Sequence, residues 1–284
     1  MKMIDAHHHL WDPARIELPW LRPEHGPIAR AFGPRELAPL LDREGIAATI
    51  LVQSVDSDED TDWLLAHAAG QAWIAAVVGW VALAEPARAE ARLDELATQP
   101  KLRGIRHLIH DEPDPHWILR PPVLESLALL EQRGLVLELP VVFPDHLGDV
   151  PLLAERFPEL AIVIDHLGKP PLDGALDDWR AGLAAAAAHE NVYAKVSGLN
   201  TATANPDWQA DDLRPCVESA LELFGAERLL CGSDWPVLLL NGDYARVWAA
   251  TRELVAGLAP DERDALLGGT ARRLYGLEAA DGAH

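Results

Sequence analysis

The sequence predicts a single-domain α/β protein with the (β/α)8, or TIM-barrel, architecture. Eight short strand-like runs alternate with eight longer helical stretches along the 284 residues. The length suits one barrel, and the 49% of hydrophobic residues is enough to fill its core. The competing fold, a doubly wound open sheet, usually carries a glycine-rich phosphate turn after its first strand, and histidines stand there instead. We therefore expect one domain over residues 1–284.

The predicted strands and helices follow one another in strict alternation. The strands are expected at 3–8, 47–53, 73–81, 102–108, 135–141, 161–166, 191–197 and 228–234. The helices are expected at 35–43, 59–69, 86–98, 121–132, 147–156, 177–189, 210–223 and 243–257. The helices are predicted from apolar residues spaced by three and four, as in Leu124, Leu127 and Leu130. Pro121 suits the start of that helix and Gly134 its end.

Charge and composition exclude several classes of partner. The formal net charge of −21 repels phosphate backbones and anionic membrane surfaces, so no nucleic-acid or membrane partner is expected. No apolar run reaches the ~18 residues of a membrane helix, and the N-terminus lacks the features of a signal peptide. Cys216 and Cys231 are too few for a disulfide framework, so we expect a cytoplasmic protein. The sequence leaves open whether the chain forms a homo-oligomer.

A long segment between the first strand and the first helix, residues 10–34, is rich in proline and contains Trp11 and Trp20. Such a segment does not fit a helix or a strand. Functional loops of barrels gather at the mouth, so we expect 10–34 to be an active-site loop that covers it.

The stretch MIDAHHHLW places three histidines at the end of the first predicted strand. Side chains of a strand alternate, so His7 and His9 share one face and His8 takes the other. Their Cα atoms should lie roughly 6–7 Å apart, which allows both imidazoles to approach one ion at ~2.0–2.1 Å. Asp5 is expected on the same face, one step deeper, where it could orient His7.

Two further residues at strand ends complete the candidate site. His166 ends the sixth predicted strand in the run IVIDH, and Asp234 ends the eighth in LLCGSD. Active sites of (β/α)8 barrels lie at the C-terminal ends of the strands, so these side chains should meet His7 and His9. The four residues would form a site for one metal with an open position. Asp234 could instead remain free as a general base.

The chain resembles the amidohydrolase superfamily and, within it, the group of sugar lactonases. The resemblance rests on IDAHHHLWDP (4–13), LVQS (51–54), VVGWV (77–81), LRGIRHLIHDEPDPHWILRP (102–121), VIDHLGKP (163–170), VYAKVSGL (192–199) and LLCGSDWPV (229–237). It implies a distorted TIM barrel that hydrolyses small lactones such as L-fucono- or L-rhamnono-lactone. His7, His9, His166 and Asp234 match the positions of the superfamily's metal ligands.

The resemblance also limits the metal content. Some superfamily members carry a bridging lysine or glutamate on strand four and a histidine on strand five, whereas this chain has Arg106 and Glu138 there. A two-metal centre is therefore not expected. One divalent ion, zinc first among the candidates, is implied, but some lactonases of the group resemble metal-independent hydrolases, so turnover need not depend on it.

Opening a lactone requires a base for water, a group that polarises the carbonyl and an acid for the leaving oxygen. We expect Asp234 to serve as general base and then as general acid. Arg106 and His166 are the candidates for stabilising the carbonyl oxygen, with a metal at His7 and His9 as the alternative electrophile. Arg106 could also face the helices and form only a salt bridge.

Sugar hydroxyls need polar and aromatic partners. The candidate substrate-binding residues at the expected mouth are Gln53, Trp80, His110, Glu138 and Trp11. Two other hypotheses about the function remain open. The barrel could be a metal-dependent decarboxylase or another amidohydrolase-type hydrolase, or it could bind ligands without catalysis. Decarboxylation would require a firmly bound metal and arginines that bind the carboxylates of the substrate. Arg106 alone is weak evidence for such a site.

Overall fold

The computed structural model describes residues 2–277 and shows a barrel of eight parallel strands in sequence order. The strands are β1 (Met3–His8), β2 (Ile46–Val52), β3 (Ile74–Gly79), β4 (Leu102–Arg106), β5 (Val136–Leu139), β6 (Ile162–Ile164), β7 (Val192–Val196) and β8 (Leu229–Cys231). Beyond the end of β8, the backbone NH of Asp234 donates to His7 O at 2.8 Å and that of His9 to Trp235 O at 2.7 Å. These two hydrogen bonds join the last strand to the first. The predicted fold class is confirmed.

Helices follow the strands, as the sequence predicts. The eight main helices are α1 (Pro34–Glu44), α2 (Asp58–Gly70), α3 (Pro86–Leu96), α4 (Pro121–Gln132), α5 (Asp149–Arg156), α6 (Asp177–Ala187), α7 (Ala210–Phe224) and α8 (Tyr244–Leu254). Between residues 2 and 277, no helix is both long and apolar enough to cross a membrane.

The prediction missed a C-terminal helical segment. It consists of α9 (Pro260–Asp264), a π-helical turn (Ala265–Gly269) and α10 (Thr270–Leu274). The segment packs against β1 and β8, and a Cβ on Gly268 would lie only 3.1 Å from the carbonyl oxygen of Lys2. Tyr275, which follows α10, is buried in the apolar cluster described next.

The barrel interior is divided into an apolar and a polar part. The apolar part is a small cluster drawn only from the strands and the C-terminal segment, with Ile4, Ala6, Ile50, Val52, Ala76, Val78, Val136, Val163, Leu230, Ala271 and Tyr275. A larger cluster fills the layer between the strands and the surrounding helices. Further along β4 to β7 and just beyond β6, the buried charged side chains are Arg106, Glu138, Asp165 and Lys195. Charged side chains are rarely buried, so their concentration in this part of the barrel indicates a candidate functional site.

Candidate active site

Three imidazoles and one carboxylate meet at the C-terminal end of the barrel. Nε2 of His7 lies 3.1 Å from Nε2 of His9. Oδ1 of Asp234 lies 3.4 Å from His9 Nε2, 3.7 Å from His7 Nε2 and 4.0 Å from His166 Nε2. The structure therefore brings together the four residues that the sequence singled out as one cluster.

His166 and Asp234 do not belong to the strands in which they were predicted. β6 ends at Ile164 and β8 at Cys231, because the next residues leave the extended conformation. The backbone is left-handed at His166 (φ 53°) and Asp234 (φ 61°), a conformation that non-glycine residues rarely adopt. Such strained positions cluster at functional sites, and here they turn both side chains towards the histidines of β1.

Two glycines make room for this cluster. A Cβ on Gly198 would lie 2.7 Å from His166 Nδ1 and 2.9 Å from Asp234 Oδ2. A Cβ on Gly232 would lie 2.7 Å from the Cβ of His7. All three distances are shorter than real side-chain contacts allow, so both positions require glycine for the cluster to assemble.

Asp5 lies elsewhere than its position in the sequence predicts. The pairing of β1 with β2 is irregular between Asp5 and His8, so the alternation of side chains breaks there. The carboxylate of Asp5 accepts hydrogen bonds from Ser233 (backbone NH 2.8 Å, hydroxyl 2.6 Å) and from the Tyr244 hydroxyl at 2.9 Å. It also accepts from the backbone NH of His7, but the expectation that it orients the imidazole is wrong.

His8 points away from the cluster, as predicted. It is fully buried, and its Nε2 lies 2.8 Å from the hydroxyl oxygen of Thr49. The neighbours of the His7 imidazole are instead Asp165 Oδ1 at 3.3 Å and Lys195 Nζ at 3.0 Å from Nδ1. Neither residue could be connected with His7 from the sequence alone, because Asp165 follows β6 and Lys195 lies in β7.

Arg106 is held at the edge of the cluster by two acceptors. One NH2 group donates to Asp165 Oδ2 at 3.0 Å, and the other donates to the carbonyl oxygen of Gln53 at 2.7 Å. The residue is 4% exposed, and it lines the cavity described below. Its ion pair with Asp165 is inside the barrel, so the alternative of a salt bridge facing the helices is wrong.

The electrostatics of the cluster keep His166 neutral and Asp234 ionised. Burial lowers the pKa of His166, which is therefore an uncharged imidazole at neutral pH. Burial acts to raise the pKa of Asp234, but His166, His9 and Arg106 outweigh it, and the net direction is downward. An ionised carboxylate beside a neutral imidazole can both accept a proton and contribute to a metal site.

A cavity of about 520 Å³ opens onto this cluster. His9, Arg106, His166 and Asp234 lie in its wall. The rest of the wall consists of Trp11, Trp20, His25, Ile28, Ser54, Leu108, His110, Pro140, Phe143, Lys169, Pro170, Pro171, Gly198, Thr201, Ala202, Val237 and Leu240. Its size and mixed lining are typical of a site for a small polar molecule.

Two of the five predicted substrate-binding residues lie in the cavity wall. Trp11 is held there by a hydrogen bond from its indole NH to Arg30 O at 2.7 Å. His110 also lines the cavity, and burial lowers its pKa to about 3, so it is uncharged at neutral pH.

The other three are buried away from the cavity wall. Gln53 donates its side-chain amide to Asp56 at 3.0 Å, and Trp80 donates its indole NH to His107 at 3.0 Å. Glu138 is fully buried and contacts Lys195 and Tyr275. Direct contact with a substrate does not fit these positions, because each side chain is already engaged inside the protein.

Sequence reasoning overlooked several wall residues. Trp20 and His25 belong to the segment 10–34, whose course cannot be read from its composition. Lys169 follows His166 in the run DHLGKP and adopts a left-handed backbone (φ 53°). The proximity of Lys169 to a candidate catalytic histidine was the one signal that could have pointed to it.

The donor atoms of the cluster fit a single divalent cation. A tetrahedral ion with bonds of ~2.1 Å separates its ligand atoms by about 3.4 Å. The distances that join His7, His9 and Asp234 lie between 3.1 and 3.7 Å, and that from Asp234 to His166 is 4.0 Å. One nitrogen each of His7 and His166 and one oxygen of Asp234 lie within 4.8 Å of one another. His9 Nδ1 lies 2.9 Å from the carbonyl oxygen of Val52, so Nδ1 carries the proton and Nε2 is free to coordinate.

Comparison with known proteins agrees with this geometry. The L-fucono-1,5-lactonase of Burkholderia ambifaria is 39% identical, with 98% of this chain and 97% of the relative covered. The L-fucono-1,5-lactonase of Burkholderia multivorans is also 39% identical, over 98% of this chain and 97% of its own. A crystal structure of an amidohydrolase from Burkholderia multivorans with bound zinc superposes with a TM-score of 0.90 at 38% identity, over 98% of this chain and 100% of that one. The amidohydrolase family model matches residues 4–277. The chain therefore belongs to the amidohydrolase family.

Proposed function

We propose that this protein is a hydrolase that opens a small sugar-acid lactone, such as L-fucono- or L-rhamnono-lactone, to the free sugar acid. The observation that carries the proposal is the ionised Asp234 at the base of a cavity of about 520 Å³, beside three imidazoles and Arg106. The full-length relatives named as L-fucono-1,5-lactonases support the same chemistry.

Asp234 is the proposed general base and acid. Its pKa is lowered, so it is ionised at neutral pH and can take a proton from a water molecule that attacks the lactone carbonyl. The same carboxyl group, now protonated, gives that proton to the ring oxygen when the carbon–oxygen bond breaks. One residue thus serves both halves of the reaction, and the product leaves as a sugar acid.

Arg106 and His166 are the proposed donors to the carbonyl oxygen. Both lie in the cavity wall, and the Nε of Arg106 has no hydrogen-bond partner among residues 2–277. Negative charge develops on the carbonyl oxygen in the transition state, where a preorganised donor contributes about 3–4 kcal/mol. His166 can donate from Nε2 if its Nδ1, 2.9 Å from the Ser197 hydroxyl oxygen, accepts the hydroxyl proton.

In the alternative in which a divalent cation such as zinc is bound, His7, His9, His166 and Asp234 would hold it, and His166 would then be a ligand instead of a donor to the carbonyl oxygen. When bound, such an ion polarises a carbonyl or lowers the pKa of a water molecule. The residues of the chain fix the geometry of the site independently of it, since His9 is anchored to Val52 O and His7 to Lys195.

The segment 10–34 is the proposed active-site loop. Trp11, Trp20, His25 and Ile28 of this segment lie in the cavity wall. Flat aromatic faces suit the apolar side of a sugar ring, while the indole NH groups of Trp11 and Trp20 are occupied by Arg30 O and Ser54 O. The aromatic faces rather than the polar edges of these residues are therefore available to a ligand.

Purified protein should be offered a panel of sugar-acid lactones in a weakly buffered solution with a pH indicator, with and without a strong chelator. Acid release from at least one sugar lactone is expected, and failure with all of them would contradict the proposed function. Activity that is unchanged in a zinc-stripped sample would remove the metal from the reaction but leave the hydrolase assignment in place. Decarboxylation is less well supported, because Arg106 is already paired with Asp165.

A further inference from the structure

The ammonium group of Lys195 is completely buried beneath the cluster and has three anionic or basic neighbours. It donates to Glu138 Oε2, lies 3.0 Å from His7 Nδ1 and lies 3.2 Å from Asp165 Oδ1. His7, Glu138 and Asp165 form a group that could itself hold a cation. The cation in that position is the ammonium of Lys195, which has three N–H bonds and no acceptor of its own.

The contact between Lys195 and His7 bears on which ring nitrogen carries the proton. An ammonium can only donate, so a hydrogen bond from Lys195 requires His7 Nδ1 to be the unprotonated nitrogen. In the neutral ring, the proton is then on Nε2. That nitrogen lies 3.1 Å from His9 Nε2, which is unprotonated because His9 Nδ1–H faces Val52 O. A chain of donors and acceptors thus runs from Lys195 through His7 and His9 to the backbone.

Asp165 offers His7 a second arrangement. Its Oδ1 lies 3.3 Å from His7 Nδ1, yet within residues 2–277 this buried oxygen accepts no hydrogen bond. If the ring proton moved from Nε2 to Nδ1, Asp165 Oδ1 would be the carboxylate oxygen beside it, and Nε2 would become a free metal ligand. The N–H bond of Lys195 that had faced Nδ1 would lose its acceptor. The two arrangements are therefore mutually exclusive.

We propose that Lys195 is a positioning residue that holds His7 in the Nε2–H tautomer, and that zinc binding by His7 requires the ring proton to move to Nδ1 against this hydrogen bond. Lys195 thereby weakens zinc binding and favours a His7 that presents an N–H group to the cluster. This inference concerns the metal site alone and does not depend on which substrate the protein hydrolyses.

Glu138 and Tyr275 anchor the lysine. Glu138 accepts from Lys195 through one carboxylate oxygen and from the Tyr275 hydroxyl through the other. Tyr275 comes from the C-terminal segment and is 1% exposed. The C-terminal segment is therefore connected to His7 through two intervening side chains, which explains why Glu138 lies too deep to touch a ligand in the cavity.

The direct test is the tautomer of His7, read from ring nitrogen shifts and two-bond nitrogen–proton couplings in protein labelled with ¹⁵N-histidine. The spectrum of His7 is identified by its loss in His7→Gln. Chelator-treated wild-type protein should show His7 protonated on Nε2, and addition of zinc should move the proton to Nδ1. A proton on Nδ1 before zinc is added would overturn the proposal, and this measurement requires no change to the lysine.

A second test measures zinc affinity by competition with a coloured chelator. Lys195→Met combined with Glu138→Gln removes both buried charges together, so neither is left unpaired. This variant should show His7 protonated on Nδ1 before zinc is added and should bind zinc about tenfold or more tightly, the size typical of changes around metal ligands. Lys101→Met is the control, because Lys101 donates to Ala68 O and Gln71 O before the start of β4, away from His7. Its zinc affinity should remain within about twofold of wild type. Equal or weaker zinc binding by the double variant would overturn the proposal.

Discussion

Nε2 of His9 lies 3.4 Å from Oδ1 of Asp234, although the two residues follow the first and the last strand of the barrel. The same two residues also take part in the hydrogen bonds that join these strands. One runs from Asp234 NH to His7 O and the other from His9 NH to Trp235 O. The residues that close the barrel therefore also assemble the site. A change that disturbs the closure should disturb catalysis before it disturbs the outer helices.

Gly198→Ala should damage the site selectively. The added methyl group would lie 2.7 Å from His166 Nδ1 and 2.9 Å from Asp234 Oδ2, and the positive φ of 62° adds strain. Left-handed backbone costs a non-glycine residue about 1–2 kcal/mol. We expect the free energy of unfolding, measured in urea, to fall by an amount of this order. The rate of lactone hydrolysis should fall in much larger proportion.

Gly45→Ala is the matched control for this substitution. Gly45 has the same left-handed backbone (φ 66°, ψ 29°, against φ 62°, ψ 8° at Gly198), and a Cβ there would meet only Met3 Cε, at an ordinary contact distance of 3.8 Å. It should show the loss of stability and keep the catalytic rate. Equal rates in the two variants would mean that the contacts of Gly198 with His166 and Asp234 do not matter for the reaction.

Arg106→Lys should slow the chemical step. Lysine keeps the positive charge but cannot reproduce the planar guanidinium that binds Asp165 and Gln53 O at once and leaves Nε free. Loss of one oxyanion donor typically lowers kcat about 10²–10³-fold. Steady-state kinetics should show a fall in kcat larger than the change in KM.

Arg103→Lys serves as the control for Arg106→Lys. Arg103 lies on the same strand, is half-buried and donates to the carbonyl oxygen of Leu102 outside the active-site cavity. Its replacement should leave kcat within about twofold, since it touches no group of the site. A fall in kcat shared by both variants would indicate a general effect on the barrel rather than a role of Arg106.

His8 should make the protein less stable in acid. Burial lowers the pKa of His8 from 6.5 to about 3. Between these values the unfolded chain binds a proton that the folded chain does not, so the free energy of unfolding falls as the pH falls below 6.5. From pH 7 to pH 5 this contribution is about 2 kcal/mol.

His8→Gln tests this contribution, because glutamine does not titrate. Urea unfolding of wild type and variant should be compared at pH 7 and pH 5. The wild type should lose about 2 kcal/mol more than the variant over this interval. Parallel losses in the two proteins would show that His8 is not the source of the pH dependence.

The order of strands and helices could be predicted from the sequence better than how deeply each candidate side chain is buried. Strand alternation correctly placed His7 and His9 together and His8 apart, because alternation is a local property of the backbone. It failed for Asp5, because the irregular pairing between Asp5 and His8 depends on the neighbouring strand. Strand alternation also predicted that Glu138 points into the barrel. It could not predict how deeply the side chain is buried, because that depends on the contacts of Glu138 with Lys195 and with Tyr275 from the C-terminal segment.

Turns after strands were the other source of error. His166 and Asp234 were predicted as strand residues, but both adopt left-handed backbone beyond the strand ends. Histidine and aspartate adopt left-handed backbone more often than most residues, but this propensity does not say at which position it occurs, because the surrounding structure imposes it. The partnership of Asp165 with Arg106, His7 and Lys195 could not be predicted either, because it joins residues of four strands or strand ends.

The central claim is that Asp234 activates water for lactone hydrolysis. Its pKa is lowered, so wild-type activity should be constant around neutral pH and fall only when the pH falls far enough to protonate Asp234. Asp234→Asn retains the shape of the side chain but cannot accept the proton. Because Asp234 is also a proposed metal donor, the zinc content of both proteins must be measured and matched.

The most direct measurement is therefore the rate of acid release from L-fucono-lactone by wild type and Asp234→Asn at equal zinc content. A fall in kcat of about 10²–10⁴-fold is expected for loss of a general base. Retention of the full wild-type rate by the asparagine variant would contradict the proposed role of Asp234.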